Sequence, residues 1–430
     1  MNLNNPSPSP SSHAVPTSRR TFIGTTLAAL ACVPSAVGGE PRRPMPSYLK
    51  GYEALWVTDP KAANVKWFRE ARLGLFMHYG ASAVAASHVW SMYGIYYDDA
   101  GKRVQRAPIP IAEYEKWAEK FTAEKFDANL ITDLALEAGC RYINITTRHH
   151  DGFCLWDSAS EPFNAKNSAA KRDLVRELSD ACTKKGLGFL PYWSLGRDWR
   201  SPYAFPDQRP PYEKYFGRPD PHYPPWSERD VVKYMAFARQ QVTELLTKYE
   251  LAGLWFDGVG VGKQHKSEMK LHEFYDYVHR LQPHALVAHK GGVSGTEDFI
   301  ACEGIIRSGE GDTAFETLTR RGVPREVCSN LGKGWGYSAK FAHQTMSSEQ
   351  AWKQLRRCTA QKANWLANTG PLPDGSIDPS HIAIYRTLGE KIRREGYPPL
   401  QGPQYEADRT EMEEKLQQLR AKKKAYQETP

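Results

Sequence analysis

The feature that most restricts the fold is a repeated order of short apolar segments and longer amphipathic ones, running from about residue 65 to residue 395. Arg72–Gly80 (RLGLFMHYG) reads as a strand, and Phe126–Gly139 reads as a helix stopped by Gly139. Tyr142–Thr147 is a second strand, Arg172–Gly186 a glycine-closed helix, and Leu187–Ser194 a third strand. Arg229–Tyr249 is a long amphipathic helix, followed by the apolar strand Leu251–Asp257. Ser267–Leu281, Ala285–His289, Ser348–Gln361, Lys362–Asn368 and His381–Glu395 continue the order. Such alternation implies a parallel sheet covered by helices. At this length, and with no GxGxxG opening, the spacing predicts an α/β fold of the (β/α)8 barrel type, with an open doubly wound sheet as the alternative architecture.

Segments 88–112, 198–228 and 306–347 read as long insertions. In a barrel these lie on the side where strands run into helices, and there they shape a pocket. The barrel is expected over residues 47–397. The tail 398–430 is almost entirely charged or polar from Tyr405 on, and it reads as a solvated helix that leaves room for an oligomer.

Residues 1–17 are rich in Pro, Ser and Asn, a composition of disorder. Ser18-Arg19-Arg20-Thr21-Phe22-Ile23 and the apolar, small-residue run to Val37 then form a twin-arginine export signal over residues 1–37. Cleavage is expected near Ser35-Ala36, with a periplasmic or extracellular destination. Lipid attachment at Cys32 is the alternative. The run is too short to span a bilayer. The net charge of +8 comes from scattered Lys and Arg, which gives no reason to expect nucleic-acid binding. The other six cysteines are widely spaced without CxxC or Cys/His finger patterns, so they read as buried small hydrophobes rather than a zinc site.

Chemistry concentrates where predicted strands end. His78 closes Phe76-Met77-His78, and His149 and His150 follow Tyr142–Thr147. Tyr192-Trp193-Ser194 and Trp255-Phe256-Asp257-Gly258 end two more strands. In a barrel these ends converge on one mouth. Asp257 stands between an aromatic residue and a glycine, a rigid carboxylate suited to nucleophile, base, metal-ligand or helix-cap roles. Adjacent residues of a strand point to opposite faces, which argues against His149 and His150 sharing a metal ion. Two carboxylates with donors for hydroxyls, and no metal or cofactor, suit glycoside hydrolysis. The aromatic content, 12 Trp, 22 Tyr and 16 Phe, agrees with a sugar site but also with a large core.

These pieces resemble glycoside hydrolase family 29, the α-L-fucosidase family. The resemblance rests on Trp67–Gly80 (WFREARLGLFMHYG), Thr147–Ser158 (TRHHDGFCLWDS), Lys171-Arg172-Asp173-Leu174-Val175 and Tyr192-Trp193-Ser194-Leu195. It continues through Leu254-Trp255-Phe256-Asp257-Gly258, Trp335-Gly336-Tyr337 and Asn368–Gly375 (NTGPLPDG), in the family's order. The resemblance implies a retaining exo-glycosidase acting on α-L-fucosides of fucosylated glycans or other small glycosides, with Asp257 as nucleophile. It places His78, Trp90, His149, His150, Tyr192, Trp255, Lys290 and Trp335 around the sugar, with one of the two adjacent histidines facing it and the other bracing the loop. Glu326, in Arg325-Glu326-Val327-Cys328, is the expected acid/base. Glu303 is the second candidate and Glu310 the third.

Two positions depart from the family pattern. Val89, in His88-Val89-Trp90, stands where relatives carry a glutamate, and Lys290 stands for an arginine. The β-sandwich that commonly follows the barrel is not expected in this chain. A non-catalytic sugar-binding barrel and a metal-dependent hydrolase are the competing functional classes.

Overall fold

In the computed structural model, which describes residues 44–98, 102–307 and 311–428, the apolar segments form one parallel sheet. Its strands are β1 (Leu73–Met77), β2 (Tyr142–Arg148), β3 (Gly188–Ser194), β4 (Gly253–Asp257), β5 (Leu286–His289), β6 (Ile300–Glu303), β7 (Arg325–Asn330) and β8 (Ala363–Thr369). The order β5-β4-β3-β2-β1-β8-β7-β6 wraps the sheet into a barrel whose ladder is interrupted only between β5 and β6. Ten residues, 290–299, separate β5 from β6 and form no helix. Asp298 mends the interruption: its N–H donates to the Val287 carbonyl at 2.7 Å, and its carboxylate accepts the Val287 N–H at 2.7 Å. Lys61 Nζ, 2.7 Å away, balances the charge.

Side chains alternate about the sheet with period two. Phe76, Tyr142, Leu190, Tyr192, Trp255, Leu286, Ala288, Ala301, Cys328 and Leu366 fill the barrel, while Leu75, Ile143, Phe189, Leu254, Val287 and Val327 face the helices. The helix Pro60–Glu70 begins with an Asp59 cap on the Ala62 N–H and Pro60 in its first turn. Its Trp67 and Phe68, fully buried, close the barrel floor. Gly74 makes room there, because a Cβ on it would lie 2.4 Å from the Tyr142 ring.

The interval 306–347, expected as one insertion, instead holds the helix Thr313–Arg320 and strand β7. Neither β6 (IACE) nor β7 (REVCSN) has the long apolar run that marks the other strands. The segment 88–112 contains a two-stranded antiparallel hairpin, Ile95–Tyr97 with Arg103–Gln105.

The tail is a helix, exposed over most of its surface but docked along one face. Pro403–Glu428 buries Tyr405, Asp408 and Met412 along one face. Arg356, Arg357 and Lys353 of the helix Ser348–Ala360 pair with its Asp408 and Glu411. Met45–Pro430 clusters as one compact unit. Among the described residues no helix is long and apolar enough to cross a membrane, and the six cysteines are free and buried. The export signal, Cys32 and Glu310 lie outside the described residues.

Candidate active site

The strand ends do converge. A cavity of about 160 Å³ is lined by His78, Trp90, His149, His150, Tyr192, Trp255, Asp257, Lys290, Glu303 and Trp335. It also takes in Phe76, His88, Ile95, Tyr97, Arg103 and Cys328. Asp257 ends β4 and Glu303 ends β6. Lys290 follows β5 directly, and the loop after β7 brings in Trp335.

Asp257 is 5 % exposed and satisfied on both oxygens. Oδ1 accepts the Gly258 N–H at 2.6 Å, and Oδ2 accepts the Tyr192 hydroxyl at 2.9 Å. Lys290 Nζ lies 3.0 Å from Oδ1 and 3.1 Å from Oδ2. Burial pushes the Asp257 pKa up, but the Lys290 ammonium, with the Gly258 N–H and Arg197, holds it well below the usual carboxylate range. The side chain is therefore an anion with fixed orientation. Gly258 does not leave open space for a ligand: at φ +100° it packs on Gly196, whose Cα would lie 2.3 Å from any added Cβ. That contact locks the ends of β3 and β4 together.

Glu303 is the second carboxylate of the cavity. Its side chain is 52 % exposed, and Lys290 Nζ is 3.6 Å from Oε2. The cation lies between the two carboxylates, and its two contacts laid end to end limit their separation. That limit reaches only to the lower edge of the 6.5–9.5 Å typical of inverting pairs, and every shorter value runs toward the 5–5.5 Å of retaining ones.

Glu326 is not in the cavity. Period two on β7 turns Glu326 and Cys328 into the barrel, but Glu326 lies one layer deeper and is fully buried. Its Oε2 accepts the Tyr142 hydroxyl at 2.6 Å and its Oε1 accepts the Trp255 Nε1–H at 2.8 Å. Burial raises its pKa to about 7, against the lowering by these two hydrogen bonds. Its environment is that of a general acid, but a substrate in the cavity cannot reach it.

The histidines are held neutral, and their hydrogen bonds select the tautomers of two of them. Burial drives the His78 pKa down to about 3 and that of His150 well below its ordinary value. Asn368 spends both amide hydrogens on Asn330 and the Trp335 carbonyl, each at 2.7 Å. Its Oδ1 must therefore accept from His78 Nδ1, also at 2.7 Å. Ser194 donates to the Arg197 carbonyl at 2.7 Å and so accepts from His150 Nδ1 at 2.5 Å. Both rings then present an unprotonated Nε2, an acceptor for a hydroxyl hydrogen. His150 Nε2 stands 3.9 Å from Asp257 Oδ2. His149 stacks on Tyr192 (5.6 Å, 12°), and its buried Nδ1 has no partner among the described residues.

His149 and His150 do not divide into one residue facing the cavity and one bracing the loop: both line it, with ring centroids 4.1 Å apart. The alternation rule fails here because β2 carries a register shift at Thr146/Arg148 and ends at Arg148. Among the described residues no three His, Cys, Asp or Glu side chains form a metal-holding group.

His88, Ile95, Tyr97 and Arg103 were not singled out in the sequence, because they come from the insertion after β1 and carry no strand-end signal. Phe76 was readable, since it lies two residues before His78 on the same face. Val89 packs toward Gly336, away from the cavity, and leaves His88 on the wall.

The profile of the alpha-L-fucosidase family matches residues 45–397, which is the whole barrel. The chain belongs to the α-L-fucosidase family. It is a glycoside hydrolase by that membership. Plasma alpha-L-fucosidase of Rattus norvegicus is 27 % identical over 362 residues, covering 80 % of this chain and 72 % of that one. Among solved structures, alpha-L-fucosidase isoenzyme 1 from Paenibacillus thiaminolyticus superposes with a TM-score of 0.63 at 28 % identity, over 78 % of this chain and 77 % of its own. The Thermotoga maritima alpha-fucosidase in complex with fucose gives 0.55 at 27 % identity, over 77 % and 74 %. The fucosidase barrel of these relatives is the (β/α)8 architecture found here.

Proposed function

We propose that the protein is an exo-acting, retaining α-L-fucosidase in which Asp257 is the nucleophile and Glu303 the acid/base. The observation that carries this reading is the pair itself: a buried, ionised Asp257 and a solvent-facing Glu303 on either side of one Lys290 ammonium. The cavity volume suits a single sugar ring, which favours a terminal residue over an internal one. The aromatic wall of Phe76, Tyr192, Trp255 and Trp335 suits the apolar face of a deoxysugar. The acceptor nitrogens of His78 and His150 suit its hydroxyls.

In the first step an Asp257 oxygen attacks the anomeric carbon while Glu303 delivers a proton to the departing oxygen. In the second, Glu303 takes a proton from water, and the resulting hydroxide attacks the same carbon and releases Asp257. Lys290 and Tyr192 stabilise the carboxylate as it leaves, and Gly258 N–H fixes its plane. Trp90 walls the leaving-group side. The direct test is Asp257→Ala assayed on an aryl α-L-fucoside. Loss of at least about 10³-fold in kcat is expected for a nucleophile, and unchanged turnover would remove Asp257 from that role.

The twin-arginine motif supports export to the periplasm or beyond. Replacing Arg19-Arg20 with lysines in the full-length chain should leave the activity in the cytoplasmic fraction, and continued export would contradict this destination.

A further inference from the structure

The two sides of the cavity differ in what they offer a ligand. On the sugar side, His78 and His150 present acceptors. On the side of the hairpin Ile95–Tyr97/Arg103–Gln105, the free groups are donors. The Trp90 N–H donates to His88 Nδ1 at 3.3 Å, so the neutral ring carries its hydrogen on Nε2. Burial, with a smaller push from Arg103, lowers the His88 pKa to about 4 and keeps it neutral. His88 is 6 % exposed, and its buried Nε2 has no hydrogen-bond partner among the described residues.

Arg103 lines the same wall, with its guanidinium 5.1 Å from the centroid of Trp90. That of Arg197 lies at the same distance from that ring. Neither arginine has an ion-pair partner among the described residues, whereas Lys290, the other cation of the cavity, is shared by Asp257 and Glu303. The position of Glu303 marks where an aglycone leaves. Tyr97, the register partner of Arg103 in the hairpin, lines the cavity together with Glu303 and Arg103, which puts Arg103 on that leaving side.

We propose that the aglycone side receives an anionic group, a sulfate or carboxylate on the sugar to which fucose is attached, and that Arg103 and His88 bind it. The proposal rests on the fucosidase reading and extends it to the substrate class. An arginine fork and an imidazole N–H together match the several acceptor oxygens of such a group. Fucose itself, being neutral, has no use for a guanidinium that has no carboxylate partner among the described residues.

The experiment compares kcat/KM of the full-length enzyme for a fucosyl-galactose disaccharide, its monosulfated counterparts, and the analogue with galacturonic acid in place of galactose. At least one anionic disaccharide should exceed the neutral one by about tenfold, the size of a charge-assisted hydrogen-bond pair. The sulfated and uronate arms separate the two sources of charge. The advantage should shrink as salt rises, fall to within about twofold in Arg103→Ala, and survive in part in Arg103→Lys.

Equal rates on neutral and anionic disaccharides in the unmodified enzyme would overturn the proposal, and so would an advantage that persists in Arg103→Ala. The wild-type comparison decides the matter even where a variant folds poorly. Absence of turnover on every fucoside would instead overturn the fucosidase reading beneath it.

Discussion

Lys290 Nζ lies 3.0 Å from Asp257 Oδ1 and 3.6 Å from Glu303 Oε2, so one ammonium serves both carboxylates of the cavity. Burial lowers its pKa, but Asp257 and Glu303 raise it more, and it stays charged. A lysine is sufficient here: a point charge placed between two carboxylates needs no planar fork.

Removing that charge should move the pH profile in one direction. Asp257 has a depressed pKa, so its working, ionised form persists into acid. In Lys290→Met, burial remains and its largest opposing influence is gone, so the Asp257 pKa rises. The acid limb of kcat/KM should then shift to higher pH, with a loss of about 10- to 100-fold at pH 5. Lys290→Arg should keep the limb near its original place. A pH–rate profile of the three enzymes checks this, and an unmoved limb in Lys290→Met would remove the coupling.

Glu326 should report on stability rather than on bond breaking. Its folded pKa, about 7, lies above the ordinary carboxylate value of 4.5, so the folded state prefers the protonated form. Stability is therefore full below the unfolded pKa and falls as pH rises between the two values, by up to about 3 kcal/mol. Melting temperature should drop between pH 5 and 8 in the wild type. In Glu326→Gln, which keeps an acceptor for Trp255 and stays neutral, the drop should be largely absent while turnover persists. Equal pH dependence in both proteins would contradict this.

His150 supplies a preset acceptor. His150→Ala should raise KM for an aryl α-L-fucoside and reduce kcat/KM by about 10- to 100-fold, the cost of an unmet substrate hydroxyl. Steady-state kinetics at neutral pH measures it. Because the ring is already neutral, no limb assignable to it should appear between pH 5 and 8.

The barrel and most of the cavity were legible because strand ends combine two signals, an apolar run and an abrupt polar stop. His78, Tyr192, Trp255 and Asp257 all carry both. Glu303 and Glu326 were harder to rank: each ends or sits in a short, polar strand, and only the register of β7 shows that Glu326 lies one layer too deep. The rim residues His88, Tyr97 and Arg103 come from an insertion whose hairpin has no periodic signature. The tail misled for a different reason. Its buried face consists of Tyr405, Asp408 and Met412 at helical spacing, and Asp408 is buried with Arg356 as its partner, which a composition count reads as solvation.

That ion pair is testable by itself. Arg356 Nε lies 3.0 Å from the buried Asp408. Arg356→Ala leaves Asp408 unpaired and should cost about 1–3 kcal/mol, seen as a lower urea midpoint. Arg356→Ala combined with Asp408→Ala should recover part of it. No change in either midpoint would return the tail to the solvated description.

The assignment of Asp257 and Glu303 rests most directly on product stereochemistry with an external nucleophile. Azide added to Glu303→Ala, assayed on an activated aryl α-L-fucoside, should capture the fucosyl group from Asp257 and give the α-fucosyl azide, with configuration retained. Azide added to Asp257→Ala should occupy the vacated position and give the β-azide. The α-azide from Glu326→Ala and not from Glu303→Ala, or the same configuration from both Glu303→Ala and Asp257→Ala, would contradict the account.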